Sequence, residues 1–121
     1  MVIVTSNKAK RLLFMSFIQH VHPAELKRSQ EDVKSLLADL PPGFRLLVDY
    51  GPMESMDLAC APEIGRSMEL IDQSGVSMVV RVMPDPSKDI GMNILTLFHY
   101  RSNPQVVTCD HMADAAKKLS L

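Results

Sequence analysis

The chain has 121 residues, 46% of them hydrophobic, with 13 Lys and Arg against 14 Asp and Glu for a net charge of −1. It is long enough for one domain with a buried core, and it lacks the basic excess that a nucleic-acid-binding face needs. Its two cysteines, Cys60 and Cys109, are too few for a disulfide framework and fit a reducing compartment. No apolar run approaches the roughly 18 residues of a membrane span. The N-terminus places its apolar residues before Lys8, Lys10 and Arg11, the reverse of a signal peptide. The expectation is a cytoplasmic protein with a single domain over residues 1–121.

Residues 2–5 read as a short edge strand, turned by Ser6, Asn7 and Lys8. Residues 11–21 mix aromatic, β-branched and other large apolar side chains with little charge, which favours a strand paired with the first as a hairpin. Pro23 suits the first turn of a helix. Leu26, Gln30, Val33, Leu36, Leu37 and Leu40 mark its inner face, and Pro41-Pro42-Gly43 stops it. Strand 44–50 follows directly and is cut by Gly51 and Pro52.

Leu58, Ala61, Ile64, Met68 and Ile71 then recur at helical spacing. Pro62 would break a backbone bond deep inside a helix, so the regular helix begins near Cys60, after an irregular turn over 56–59. Ser74-Gly75 ends it. Residues 77–83 form the most β-branched strand, stopped by Pro84 and Pro86. Ser87 reads as the N-cap of a further helix, with Asp89 in its first turn and Ile90, Ile94, Leu95 and Phe98 inward. Asn103-Pro104 makes a turn and 105–109 a short strand. Asp110 reads as the cap of a last helix with Met112, Ala115, Ala116 and Leu119 inward. The alternation predicts an α/β fold: a mostly parallel four- to five-stranded sheet with an N-terminal antiparallel edge strand, covered by about four helices.

Open α/β sheets place function at the carboxyl ends of their strands, which directs attention to the turn after strand 44–50. Asp57 there reads both as a helix cap and as part of a partner-binding surface. Asp85, Lys88 and Asp89 form a polar turn at the end of the next strand. Lys88 and Ser87 at a helix start could hold an anion, but the two aspartates offset the field and no Gly-rich loop is present, so a capped, solvated turn is the better reading.

His20 and His22 share one face if the strand extends that far. Metal sites need three or four ligands, and the local pattern supplies no third, so no metal is expected. His22, ahead of Pro23, reads as a loop or cap residue. Cys60 at a helix start could be activated by the dipole, but a free cysteine is more often buried as a small hydrophobe. Cys109-Asp110-His111 lacks a third orienting group. Tyr100 and Arg101 suit an interface if they are exposed. The methionines Met53, Met56, Met68, Met78, Met83 and Met92 read as core filler rather than as a cofactor box. No base, oxyanion hole or cofactor motif is visible, so no enzyme activity and no cofactor are expected.

The order of elements, the length and the placement of turns resemble the STAS domain family, whose best-known members are bacterial anti-sigma factor antagonists; a lipid-binding SEC14-like fold is often grouped nearby. Leu46-Leu47-Val48-Asp49 resembles the family's strand end. Residues 56–61 resemble its hydrophobic-Asp-Ser-Ser/Thr-Gly-Leu turn, with Asp57 on the motif aspartate. Residues 75–82 resemble the following strand and 98–119 the closing strand and helix. The resemblance implies a non-enzymatic protein-interaction or regulatory module whose partner surface comprises Asp57, Leu58, Ala59, Cys60, Asp85, Lys88 and Asp89. Antagonists of the family carry a phosphorylatable hydroxyl in the turn, where phosphate adds about −1.5 to −2 charges. Leu58 and Ala59 occupy those positions here, Cys60 replaces the glycine, and Ser55 is out of register, so the phosphorylation switch is expected to be absent. A small apolar ligand under the Met-rich turns is the alternative, and a homodimer stays open.

Overall fold

The structure is a computed structural model, and it describes residues 1–85, 87, 91, 95–96 and 99–121. Strands β1 (Val2–Asn7), β2 (Leu12–Phe17) and β3 (Gln19–Val21) lead into helix α1 (Pro23–Leu37). Strand β4 (Arg45–Asp49) is followed by β5 (Met53–Met56), a single 3-10 turn (Leu58–Cys60) and helix α2 (Ala61–Gln73). Strands β6 (Met78–Val82) and β7 (Gln105–Cys109) and helix α3 (Met112–Lys118) complete the described elements.

The main sheet has five strands in the order β1-β2-β4-β6-β7. The β1–β2 pair is antiparallel and every other pair is parallel. The expected antiparallel edge strand and mostly parallel sheet are therefore present. Three α-helices fall among the described residues, against the expected four or so. The helix expected from Ser87 through Phe98 lies largely on residues outside the described ones.

Strands covered on both faces must be apolar on both, which is why β2 and β4 read as nearly continuous apolar runs. Leu13, Met15 and Phe17 of β2 join Leu46 and Val48 of β4 in the core beneath α1 and α2, with Leu26, Val33, Ile64, Met68 and Ile71. The alternate residues Leu12 and Leu47 join Val80, Val82, Ala115 and Leu119 beneath α3. Gly75, at φ +91°, ends α2 in the left-handed region that glycine tolerates. A Cβ there would stand 2.9 Å from Pro42, so the Pro41-Pro42-Gly43 stop and the end of α2 pack directly against each other.

The strand expected over 11–21 divides in two. Gln19 takes a left-handed φ of +58°, and its N–H donates to the Pro52 carbonyl at 2.9 Å. The chain leaves the main sheet there, and β3 pairs in parallel with β5 as a separate two-stranded sheet. This small sheet continues from the carboxyl ends of β2 and β4, the end of the fold where α/β sites lie. Among the described residues no helix is long and apolar enough to cross a membrane.

Candidate functional site

The β3–β5 ribbon and the 3-10 turn bring together residues that the linear order separates. His20 on β3 and His22 just past its end, where the backbone is still extended, are two apart and project to the same side. Their common target is Asp57. His20 Nε2 lies 2.8 Å from Asp57 Oδ1, and His22 Nδ1 lies 3.1 Å from Asp57 Oδ2. On its other side, His20 Nδ1 meets Ser55 Oγ at 2.5 Å. The two rings stand edge to face with centroids 4.5 Å apart.

The backbone fixes this arrangement. The Val21 carbonyl, between the two histidines, accepts the Asp57 N–H at 3.2 Å and the Cys60 thiol at 3.4 Å. His22 is also the N-cap of α1, as its place before Pro23 suggested. Its N–H donates to Glu25 Oε1 at 3.1 Å, and the N-terminal amine of Met1 lies 2.7 Å from Glu25 Oε2. That amine, with the His22 contacts, holds the Glu25 carboxyl below its ordinary range. The His22 and His20 rings do the same for Asp57. All three clustered side chains stay reachable by solvent, at 37% exposure for His20, 59% for His22 and 42% for Asp57.

Asp57 occupies the N-cap position of the 3-10 turn, but its side chain makes no capping bond. The cap reading is corrected here: two imidazoles have taken the carboxylate. The N-cap position of the last helix is taken by His111 rather than Asp110, with no capping bond from its side chain.

Leu58 stands at the tip of the turn and is 96% exposed, far beyond the other exposed large apolar side chains of the described chain. Ala59 beside it is also exposed. Cys60 is fully buried beneath them and adds no surface of its own. Burial pushes its thiol pKa up, and the Asp57 charge adds to the shift, which is the opposite of an activated nucleophile. Next to Leu58 lies an open hollow lined by Met56, Asp57, Ala61, Ile64, Gly91 and Leu95. The turn, Gly91 and Leu95 are therefore neighbours. Asp85 is exposed, and its carboxylate accepts the Ser87 N–H at 3.0 Å and the Ser87 hydroxyl at 2.7 Å. Lys88 and Asp89 lie outside the described residues.

Two other expectations change. Tyr100 is 7% exposed and belongs to the core with Met15, Phe17 and Tyr50, so it is no interface aromatic. Burial drives its hydroxyl pKa up. The third partner of the His20 and His22 pair was hidden from the sequence because Asp57 lies 37 positions from His20.

No family model matches the chain, and no curated protein matches it. Solved structures do. A DUF3478-family protein with a SpoIIAA-like fold from Shewanella loihica PV-4 superposes with a TM-score of 0.72 at 12% identity, covering 98% of this chain and 92% of that one. The fold is SpoIIAA-like, that of the STAS domains. The anti-sigma factor antagonist SpoIIAA in its unphosphorylated form gives 0.62 at 12% identity, covering 98% of this chain and 96% of that one. An anti-sigma factor antagonist from Mycobacterium paratuberculosis gives 0.60 at 16% identity, covering the whole of this chain and 94% of that one.

Proposed function

We propose that this chain is a non-enzymatic protein-interaction module of the cytoplasm that docks a protein partner through the turn at Leu58, without a phosphorylation switch. The observation that carries the reading is the nearly complete exposure of Leu58 at the tip of a backbone-anchored turn, beside an open and largely apolar hollow. A leucine held out in water on a fixed turn and contiguous with an apolar hollow makes a patch that gains from burial against a complementary surface. The likeness to anti-sigma factor antagonists, which bind proteins, supports the choice of a protein over a small molecule. Ala59 and Asp57 frame the anchor, Cys60 supports it from below, and the polar residues Asp85, Lys88 and Asp89 are proposed as further contacts of the partner.

The absence of Ser and Thr at positions 58 and 59 supports constitutive docking. Ser55, the nearest hydroxyl before the turn, faces the His20 ring.

Affinity capture with wild type and Leu58→Lys, followed by titration of each purified partner, tests the reading. Burying a leucine contributes about 1.5–3 kcal/mol, so the charged variant should bind the partner on the order of 10- to 100-fold more weakly. Unchanged affinity of every recovered partner removes Leu58 from the interface. A small apolar molecule copurifying with the chain, with no protein recovered, favours the ligand alternative.

A further inference from the structure

We infer that His20, His22 and Asp57 form a binding site for a zinc-class divalent transition-metal ion, with Ser55 orienting the first ligand. Among the described residues this is the one set of three metal-ligating side chains whose ligand atoms all lie within 4.8 Å of one another. The inference is independent of the docking reading, and either can fail alone.

The donor chemistry is specific. Two imidazole nitrogens and one carboxylate are a recurrent set for Zn²⁺ with one position left to water. Ligand atoms at about 2.0–2.2 Å from a tetrahedral ion stand roughly 3.3–3.6 Å from one another. His20 Nε2 lies 2.8 Å from Asp57 Oδ1 and His22 Nδ1 3.1 Å from Asp57 Oδ2, so each ring meets its own oxygen of the shared carboxylate slightly inside that spacing, and an ion between them takes the carboxylate through one or both oxygens. The side chains sit at the surface, so small rotations can open the first separation and admit the ion. On entry, the ion replaces whatever protons bridge the rings and the carboxylate, and those protons pass to solvent.

The environment of His20 also matches that of a ligating histidine. Such a residue binds metal through one nitrogen and bonds through the other to a polar group that fixes ring orientation. His20 Nε2 faces the site while its Nδ1 is held by Ser55 Oγ at 2.5 Å. The ligands come from different elements, His20 and His22 from β3 and its end and Asp57 from the turn after β5. Both Asp57 N–H and Cys60 Sγ are tied to the Val21 carbonyl, so the backbone that carries the ligands is preset. Cys60 itself faces inward and is no ligand.

The test uses the full chain stripped of metal and titrated with Co²⁺, read by its visible absorption, and with Zn²⁺ in competition with a chromophoric chelator. The expected result is one ion per chain, with Co²⁺ bands of tetrahedral or five-coordinate intensity. His22→Ala and Asp57→Asn should each weaken binding at least about 10-fold, and Ser55→Ala about 10-fold, the size of effect found when the partner behind a ligating histidine is removed. Circular dichroism of each variant should match wild type, because the substituted side chains lie at the surface. Absence of stoichiometric uptake overturns the inference, because a purely structural ion-pair cluster takes up no metal. Uptake that survives both His22→Ala and Asp57→Asn also overturns it.

Discussion

His20 Nε2 and Asp57 Oδ1 lie 2.8 Å apart across 37 positions of sequence. This contact exists because a left-handed residue, Gln19, turns the chain out of the main sheet and sets β3 beside β5. It makes the turn before α2 more than a helix entrance. The carboxylate that would ordinarily cap the turn is held sideways by two rings, and the neighbouring Leu58 is left pointing into water.

The first prediction concerns the cysteines. Cys60 is fully buried and Cys109 is 8% exposed, and burial raises the thiol pKa of Cys60. Labelling with a thiol reagent near pH 7.5 should be at least about 100-fold slower in the native protein than in urea, because reaction waits on opening. Fast native labelling of Cys60 would restore the case for thiol chemistry.

Glu63 supplies a pH prediction. Burial alone would raise its carboxyl pKa, but hydrogen bonds from Gln30, at 2.9 Å, and from Arg66 outweigh it and the net shift is downward. A carboxyl with a depressed folded pKa adds stability above its unfolded value of about 4.3 and loses it as pH falls through the folded pKa. Urea midpoints of wild type should therefore drop more steeply below about pH 4.5 than those of Glu63→Gln. Parallel curves for the two proteins would show that the Gln30 and Arg66 contacts do not persist in solution.

Gly65 lets α2 approach His99. A Cβ at position 65 would come within 2.6 Å of His99 Nε2, and the ring is tethered through Nδ1 to Glu69 Oε1 at 2.9 Å. Overpacking of this kind costs about 1–3 kcal/mol, against a helix-propensity gain of about 1 kcal/mol for replacing a glycine. Gly65→Ala should destabilise wild type, yet stabilise a His99→Ala background by up to about 1 kcal/mol. A double-mutant cycle by chemical denaturation checks the change of sign, and additive effects would place His99 away from Gly65.

Much of the fold is legible in the sequence because each boundary carries its own chemistry. Pro23 stands at the first position of α1, Pro62 delays the regular part of α2 until Ala61, and Gly75 ends it. The β-branched run before Pro84 is β6, and the alternating apolar residues of β2 and β4 serve two cores at once. The small second sheet is not legible. Met53-Glu54-Ser55-Met56 has no strand signature of its own, and the left-handed Gln19 leaves no trace in propensity.

The site was legible in part for the same reason. The turn is marked by its position after a parallel strand, and the shared face of His20 and His22 by their spacing. The convergence of His20, His22 and Asp57 is a tertiary event that no local pattern encodes, and it also overrode the capping preference of Asp57. Tyr100 misled for a related reason. Its place at a helix exit suggested the surface, but the fold turns it into the core beside Tyr50 and Phe17.

The most direct test of the docking turn is residue-resolved. Amide spectra of the ¹⁵N-labelled chain should be recorded during titration with a purified partner that wild type captures. The account predicts shift changes centred on Leu58, Ala59, Ala61 and Leu95, and their loss at the same partner concentration in Leu58→Lys. Changes confined to α3 and β7, with unaltered affinity of the Leu58→Lys chain, would contradict it.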